Sequence, residues 1–361
     1  MTFVYPDYKK NSIYNLAVKL SDSLGVNTQR DPIDINLEKD KTILVLIDGF
    51  GINYVKRLNI NMNYRKITTV FPSTTASVIT TLFTAMMPGE HGVIGYTNYT
   101  NDIGVINPMR FTFNGLDTSE ALQPIRNFTD EYDIKPYLKN TDKKYAVIMP
   151  GRLDKTTFTS VMMDGDYYQY KFFWDSIYQL DNAASRGYDF IYYYIPFIDS
   201  LAHAYGTYQD FVLNAADEII NNVKNSVEKY KDNYNIIITA DHGHVPVSEN
   251  VIINDNKDLL ERLDIMPYGD SRAMFLKTRQ DISDLIKYEN VSIFKYNDII
   301  NKNLLGNVSQ RFLNRVGDYL LLPEDGRALI YKVQNNRDKP LLKSHHGGLT
   351  EDEQLVPLIY I

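Results

Sequence analysis

All six histidines of this 361-residue chain fall in four short segments, each with a second feature of a metal site. The segments are Pro88-Gly89-Glu90-His91-Gly92, Asp199-Ser200-Leu201-Ala202-His203, Asp241-His242-Gly243-His244 and Ser344-His345-His346-Gly347-Gly348. Histidine offers a neutral nitrogen ligand and aspartate a hard oxygen, a mixture that zinc and similar divalent ions accept. With 6 histidines in 361 residues, a His follows any given Asp by chance about once in 60 times, so a single Asp-His pair means little. Asp-x-x-x-His, Asp-His-Gly and His-His-Gly-Gly together predict a metal centre, and more than one ion. The chemistry such centres perform best is hydrolysis.

Asp199 and His203 stand four apart and share one side of a helical turn, a geometry that can chelate one ion. Asp241 and His242 are consecutive, and both can reach a site if the backbone turns after them, which Gly243 permits. His345 and His346 compete for one role, because adjacent side chains diverge in extended backbone. His91, just past an expected helix end at Pro88-Gly89, and His244 read as supporting residues rather than ligands. Phe71-Pro72-Ser73-Thr74-Thr75-Ala76-Ser77 reads as a turn entering a helix, with Ser73 or Thr74 as the cap and the helix running to about Met87. That pattern is common in its own right. It also puts hydroxyls beside free N–H groups and a positive dipole end, where a phosphoryl group would be held and attacked.

The elements that must position these groups are legible around them. Residues 41–47, 145–149, 190–195 and 234–239 are short apolar runs of the kind buried on both faces of a parallel sheet. Helical periodicity lies over residues 8–24 and 209–230, so strands alternate with helices and an α/β fold follows. Asp48, Asp199 and Asp241 each sit just beyond one of these runs, where open α/β sheets gather their sites. Asp48-Gly49-Phe50-Gly51 is too short to be a dinucleotide fingerprint, since Tyr54 stands at the third glycine position. Between 246 and 343 short strands mix with short helices. That region is predicted to be an inserted α+β lid, with residues 1–245 and 344–361 as the core.

Composition narrows the rest. A net charge of −7 and a pI near 5.4 argue against a nucleic-acid partner. With no cysteine, thiolate zinc sites, disulfides and cysteine nucleophiles are excluded. No signal-peptide pattern opens the chain and no apolar run reaches membrane length, so a cytoplasmic protein without membrane attachment is expected.

With these residues in view, the chain resembles the alkaline phosphatase superfamily, and within it the type I phosphodiesterases/nucleotide pyrophosphatases. The resemblance rests on the ordered motifs from Lys41 to Gly92 and at 190–206, 234–247 and 344–361. It implies a three-layer α/β sandwich with a mostly parallel central sheet. It further implies two divalent ions, zinc first and manganese or magnesium as alternatives. Asp199, His203 and His346 would hold one; Asp48, Asp241 and His242 would hold the other, with the nucleophile bridging or nearby. In that superfamily the nucleophile lies nine residues before a small pair that ends the helix, and with Thr84-Ala85 as that pair the resemblance implies Thr75 as nucleophile and metal-contacting group, with Thr74 as fallback; the family's alternative register lands on Val70, which cannot attack phosphorus.

The chain also departs from that family. The phosphate-binding asparagine expected five residues after His91 is replaced by Tyr96, leaving Asn98 as the nearest candidate. No arginine follows the nucleophile, so Arg110 and Arg272 are the candidates for reaching the substrate from a distance. The sulfatase pattern of Cys or Ser with x-Pro-x-Arg is absent. The expected activity is cleavage of a small phosphodiester or nucleotide pyrophosphate through a phosphothreonyl intermediate. Phosphomonoesterase, phosphonate hydrolase and phosphosugar mutase chemistry are rivals from the same superfamily, and a non-catalytic metal- or nucleotide-binding protein is the rival from another class.

Overall fold

The computed structural model describes residues 3–60, 62–116, 118–333 and 340–361. Its centre is a seven-stranded mixed sheet in the order Arg65–Thr68, Leu355–Tyr360, Asn235–Thr239, Thr42–Ile47, Phe190–Ile195, Tyr145–Pro150 and Asp166–Tyr170. Six strands run parallel and Leu355–Tyr360 runs against its two neighbours. The run Thr42-Ile43-Leu44-Val45-Leu46-Ile47 takes the middle because every one of its side chains is apolar or β-branched and can be buried on both faces. Burying each large aliphatic side chain contributes roughly 1.5–3 kcal/mol, and the strand's one side-chain hydroxyl, on Thr42, is satisfied by Asn235 Nδ2, which donates to it at 3.3 Å.

Crossover helices cover the sheet. Asp210–Glu228 turns Val212, Ala216, Ile219, Ile220, Val223 and Val227 inward, a stripe at helical spacing, and returns the chain to the Asn235–Thr239 strand. Ile13–Ser23 packs against Thr75–Thr84. It is started by a buried capping box in which Ser12 and Asn15 each satisfy the other's backbone N–H. Thus the α/β sandwich expected from the alternating pattern is present, with smaller sheets inserted.

One insertion follows the strand Asn235–Thr239. Val245–Pro246 pairs antiparallel with Ser344–His345, and between them stands a four-stranded antiparallel sheet of Tyr268–Asp270, Ala273–Leu276, Tyr319–Pro323 and Val291–Lys295. Residues 334–339 of the expected lid lie outside the described residues. A second insertion was not foreseen. Asn98–Thr100, Gly104–Asn107 and Thr112–Phe113 form a small antiparallel sheet, and Thr97 bridges from it to Gly269. Three strands of the central sheet, Arg65–Thr68, Asp166–Tyr170 and Leu355–Tyr360, were also missing from the reading of apolar runs. The first two mix polar with apolar residues at or near the sheet edges, and the third contains Pro357. No helix among the described residues is long and apolar enough to cross a membrane.

Candidate active site

The carboxyl ends of the central strands converge on one spot. Asp48 follows Thr42–Ile47 and extends its ladder, its N–H donating to Ile195 at 2.9 Å. Asp241 follows Asn235–Thr239, and its Oδ1 accepts from the N–H groups of Gly49 at 3.1 Å and His242 at 2.9 Å. The other oxygen, Asp241 Oδ2, lies 3.3 Å from His242 Nε2, and Asp48 Oδ1 lies 3.4 Å from the same nitrogen. His242 Nδ1 donates to the Gly243 carbonyl at 3.1 Å, so its Nε2 presents a lone pair. Thr75 Oγ1 donates to that nitrogen from 3.2 Å.

A second group lies beside the first. His203 Nδ1 donates to the Ser344 carbonyl at 2.8 Å and His346 Nδ1 to the Ser73 carbonyl at 2.9 Å. Both Nε2 atoms are thereby turned toward Asp199 Oδ1, at 3.2 and 3.8 Å. Three overlapping triads thus have ligand atoms within 4.8 Å of one another: Asp48–Asp241–His242, Asp199–His203–His346 and Asp199–His242–His244. The last includes His244, which the sequence reading placed in support. Its Nε2 is 2.9 Å from Asp199 Oδ1.

These residues fit a pair of cations better than they fit each other. Asp48 Oδ1 and Asp241 Oδ2 are buried with no hydrogen-bond partner among the described residues, facing a histidine lone pair. Burial pushes the Asp48 carboxyl well above the usual carboxylate range, with the charges of Asp241 and Asp199 adding to it. Burial also drives His346 well below the ordinary imidazole value, aided by His242, His203 and His244. Acceptors and lone pairs crowded together in this way call for positive charge between them. Two distinct clusters able to coordinate metal are therefore present.

Gly243 plays a different part from the one expected. It adopts no left-handed conformation. A Cβ there would lie 2.1 Å from the Asp352 carbonyl and 2.9 Å from Gly51 Cα, so glycine is required by the approach of two backbones. The left-handed turn is made instead by Gly49, at φ 76°.

Among the three hydroxyls that open the helix, geometry discriminates. Ser73 Oγ donates to the Gly348 carbonyl at 2.9 Å and accepts from the Gly347 N–H at 3.2 Å, which commits it to the chain turn. Thr74 caps the helix and its side chain bonds toward Asp270. Thr75, first residue of Thr75–Thr84, faces His242. The helix ends at Ala85 with φ 51°, two residues short of the expected Met87, and a separate turn, Pro88–His91, carries His91. His91 is fully buried, bonded to Thr81 Oγ1 at 3.0 Å and accepting from the Val93 N–H at 3.1 Å, away from the clusters.

A cavity of about 580 Å3 opens over both clusters, with Thr74, Thr75, Tyr96, Arg152, Tyr268 and Asp270 in its walls. The three expected substrate-binding residues are not among its lining. Asn98 is buried and holds its own turn, accepting from the Ile94 N–H at 2.7 Å and donating to the Gly95 carbonyl at 2.7 Å. Arg110 is directed to Ser119 Oγ at 3.1 Å. Arg272 is wholly buried in a two-pronged pair with Glu353, both contacts 3.1 Å, and donates to the Asp325 and Arg327 carbonyls as well. The arginine that does reach the cavity is Arg152, just past the strand Tyr145–Pro150. Its position beyond a strand's carboxyl end, the rule that singled out Asp48 and Asp241, was the available signal.

Residues 42–349 match the family described as type I phosphodiesterase / nucleotide pyrophosphatase. The chain belongs to that family. As a type I phosphodiesterase/nucleotide pyrophosphatase family member it is a hydrolase of the alkaline phosphatase superfamily, and its two ligand clusters support two-metal cleavage of phosphoester or phosphonate bonds. No curated protein matches it. Among solved structures, murine ectonucleotide pyrophosphatase/phosphodiesterase 5 is similar over 88% of this chain and 87% of that one, with 15% identity and a TM-score of 0.66. The same murine protein, as an inactive variant in complex with AMP, superposes with a TM-score of 0.65 at 15% identity, over 88% of this chain and 87% of that one. Phosphonoacetate hydrolase from Sinorhizobium meliloti 1021, in complex with phosphonoacetate, is similar over 89% of both chains with 16% identity and a TM-score of 0.60. At such identities the family member shares a fold with them.

Proposed function

We propose that this protein cleaves small phosphodiesters or nucleotide pyrophosphates, with Thr75 as the nucleophile. The observation that carries the reading is the 3.2 Å contact between Thr75 Oγ1 and His242 Nε2, at the meeting point of the metal-coordinating groups. In this reading Asp199, His203 and His346 hold one divalent ion and Asp48, Asp241 and His242 the other, with His244 close enough to Asp199 to compete for the first role. Two ions, zinc before manganese or magnesium, would supply Lewis acidity and charge neutralisation at the phosphoryl oxygens. The free N–H groups at the start of Thr75–Thr84 face the same anion. Thr75 Oγ1 forms a bond to phosphorus as the ester or anhydride oxygen departs, giving a phosphothreonine. Water then attacks the same phosphorus and Thr75 Oγ1 leaves. The region 246–343 serves as a lid, its Tyr268–Asp270 strand forming part of the cavity wall.

Diesters should be favoured over monoesters. A monoester's extra negative charge demands positive charge close to the nonbridging oxygens; Arg110 and Arg272 are spent elsewhere, and Arg152 stands where the cavity meets the neighbouring hollow. The test compares bis-p-nitrophenyl phosphate with p-nitrophenyl phosphate on metal-replete protein, in zinc and in manganese. A higher kcat/KM for the diester is expected, and preference for the monoester under both metals would point to a phosphatase instead.

A further inference from the structure

Among the described residues, none makes a hydrogen bond or ion pair with the Arg152 side chain. The other arginines at issue, Arg110 and Arg272, are held by protein groups, whereas the Arg152 guanidinium is exposed. Arg152 lines the cavity over the metal-coordinating clusters and also a neighbouring hollow of about 540 Å3, and Pro196 is the other residue common to both. The two spaces therefore adjoin at Arg152. Lys171 also lines the second hollow, and the carboxylate in its lining, Asp175, already accepts from the N–H groups of Lys171 at 2.9 Å and Phe172 at 2.6 Å.

A hydrogen-bonded path ties this corner to the clusters. Tyr170 donates to the Tyr194 carbonyl at 2.6 Å, and the Tyr194 hydroxyl donates to Asp48 Oδ2. Burial raises the Tyr170 hydroxyl far above its ordinary value, and the nearby Arg152 charge opposes that rise. Among the described residues lining the main cavity, Arg152 is the only Lys or Arg, and Asp270 is a carboxylate not assigned to an ion. A small substrate with its phosphorus over Thr75 and one further anionic group has a single favourable direction in which to extend, toward Arg152 and Lys171. Guanidinium matches phosphate and carboxylate oxygens in two-pronged geometry.

We propose that Arg152, supported by Lys171, forms an anion subsite that receives a second anionic group of the substrate, a phosphoryl or a carboxylate. This rests on the hydrolase reading above, and selects within it for pyrophosphate- or phosphonate-acid-type substrates over simple diesters.

The experiment uses the full-length, metal-replete protein and its Arg152→Ala, Arg152→Lys and Lys171→Ala variants. The readout is the ratio of kcat/KM for ATP, and separately for phosphonoacetate, to that for bis-p-nitrophenyl phosphate. Loss of a charge-assisted contact should lower the ratio about tenfold or more in Arg152→Ala, mostly through KM, with partial recovery in Arg152→Lys and a smaller fall in Lys171→Ala. A fall with ATP identifies a phosphoryl group as the guest and a fall with phosphonoacetate a carboxylate. An unchanged ratio with both overturns the subsite. If the wild type turns over none of the three, the hydrolase reading has failed by itself. The subsite is then judged by equilibrium binding of ADP and AMP to metal-loaded Thr75→Ala protein. Arg152→Ala must weaken ADP at least tenfold more than AMP, and equal effects would overturn it.

Discussion

Replacing Arg272 with alanine should unfold the protein earlier without touching its substrate. The guanidinium and Glu353 are both fully buried, and their two contacts join the inserted sheet to the C-terminal core segment. Glu353 is simultaneously the acceptor for the Gly348 and Thr350 N–H groups and the Thr350 hydroxyl. Removing one partner of a buried pair leaves the other charge uncompensated and costs about 3–5 kcal/mol. The Asp325 and Arg327 carbonyls lose their donor in the same step. Against a typical total of about 5–15 kcal/mol this is a large fraction. For a chain of this length it lowers the unfolding midpoint by about 4–7 °C. Arg272→Lys keeps the charge and loses the fork, and should fall between wild type and alanine. Because Gly348 lies two residues from His346, metal retention at the Asp199 cluster should weaken along with the fold. Thermal unfolding followed by circular dichroism, with metal content and KM measured on the same preparations, checks each part. An Arg272→Ala protein that melts within about 1 °C of wild type yet shows a raised KM would refute the reasoning and return Arg272 to the substrate.

Chelation should abolish activity and added zinc or manganese restore it, and His203→Ala and His242→Ala should each reduce the bound metal seen by elemental analysis; full turnover in metal-free protein would end the metal-dependent reading. Thr75→Ala should lose turnover while keeping metal and fold, Thr75→Ser should keep part of it, and Thr74→Ala should remain active; an inactive Thr74→Ala beside an active Thr75→Ala would move the nucleophile by one residue. His91 gives a pH test. Burial lowers its pKa to about 3, while the unfolded chain titrates near the ordinary 6.5, so between those values the unfolded state binds the extra proton. Its contribution to stability is present above about pH 6.5 and is lost as pH falls toward about 3. The difference in urea midpoint between wild type and His91→Gln should therefore shrink from pH 7 to pH 5, and a constant difference would contradict the assignment.

The local signals in the sequence were enough for the groups whose placement is local. A buried run such as Ile43–Ile47 can only be an inner strand, so the aspartate after it emerges at the sheet's carboxyl end, and the same holds for Asp241. Asp199 and His203 share a face because a helix repeats every 3.6 residues, whatever surrounds it. The choice among Ser73, Thr74 and Thr75 was not local. It depends on Gly347 and Gly348 occupying Ser73, Asp270 drawing Thr74 and His242 meeting Thr75, contacts spanning more than 160 residues. Asn98, Arg110 and Arg272 have the right chemistry for a phosphate, but their partners are supplied by the tertiary fold, and a donor already bonded to Gly95, Ser119 or Glu353 is not available to a substrate. Arg152 is the converse case, an unremarkable residue in the sequence that reaches the cavity because its strand ends beside Phe190–Ile195, the neighbour of Asp48's strand. Residue type and spacing determined which chemistry the chain can perform; the tertiary structure decided which copies of each residue type are free to perform it, because hydrogen-bonding capacity is finite and the fold allocates it through contacts distant in sequence.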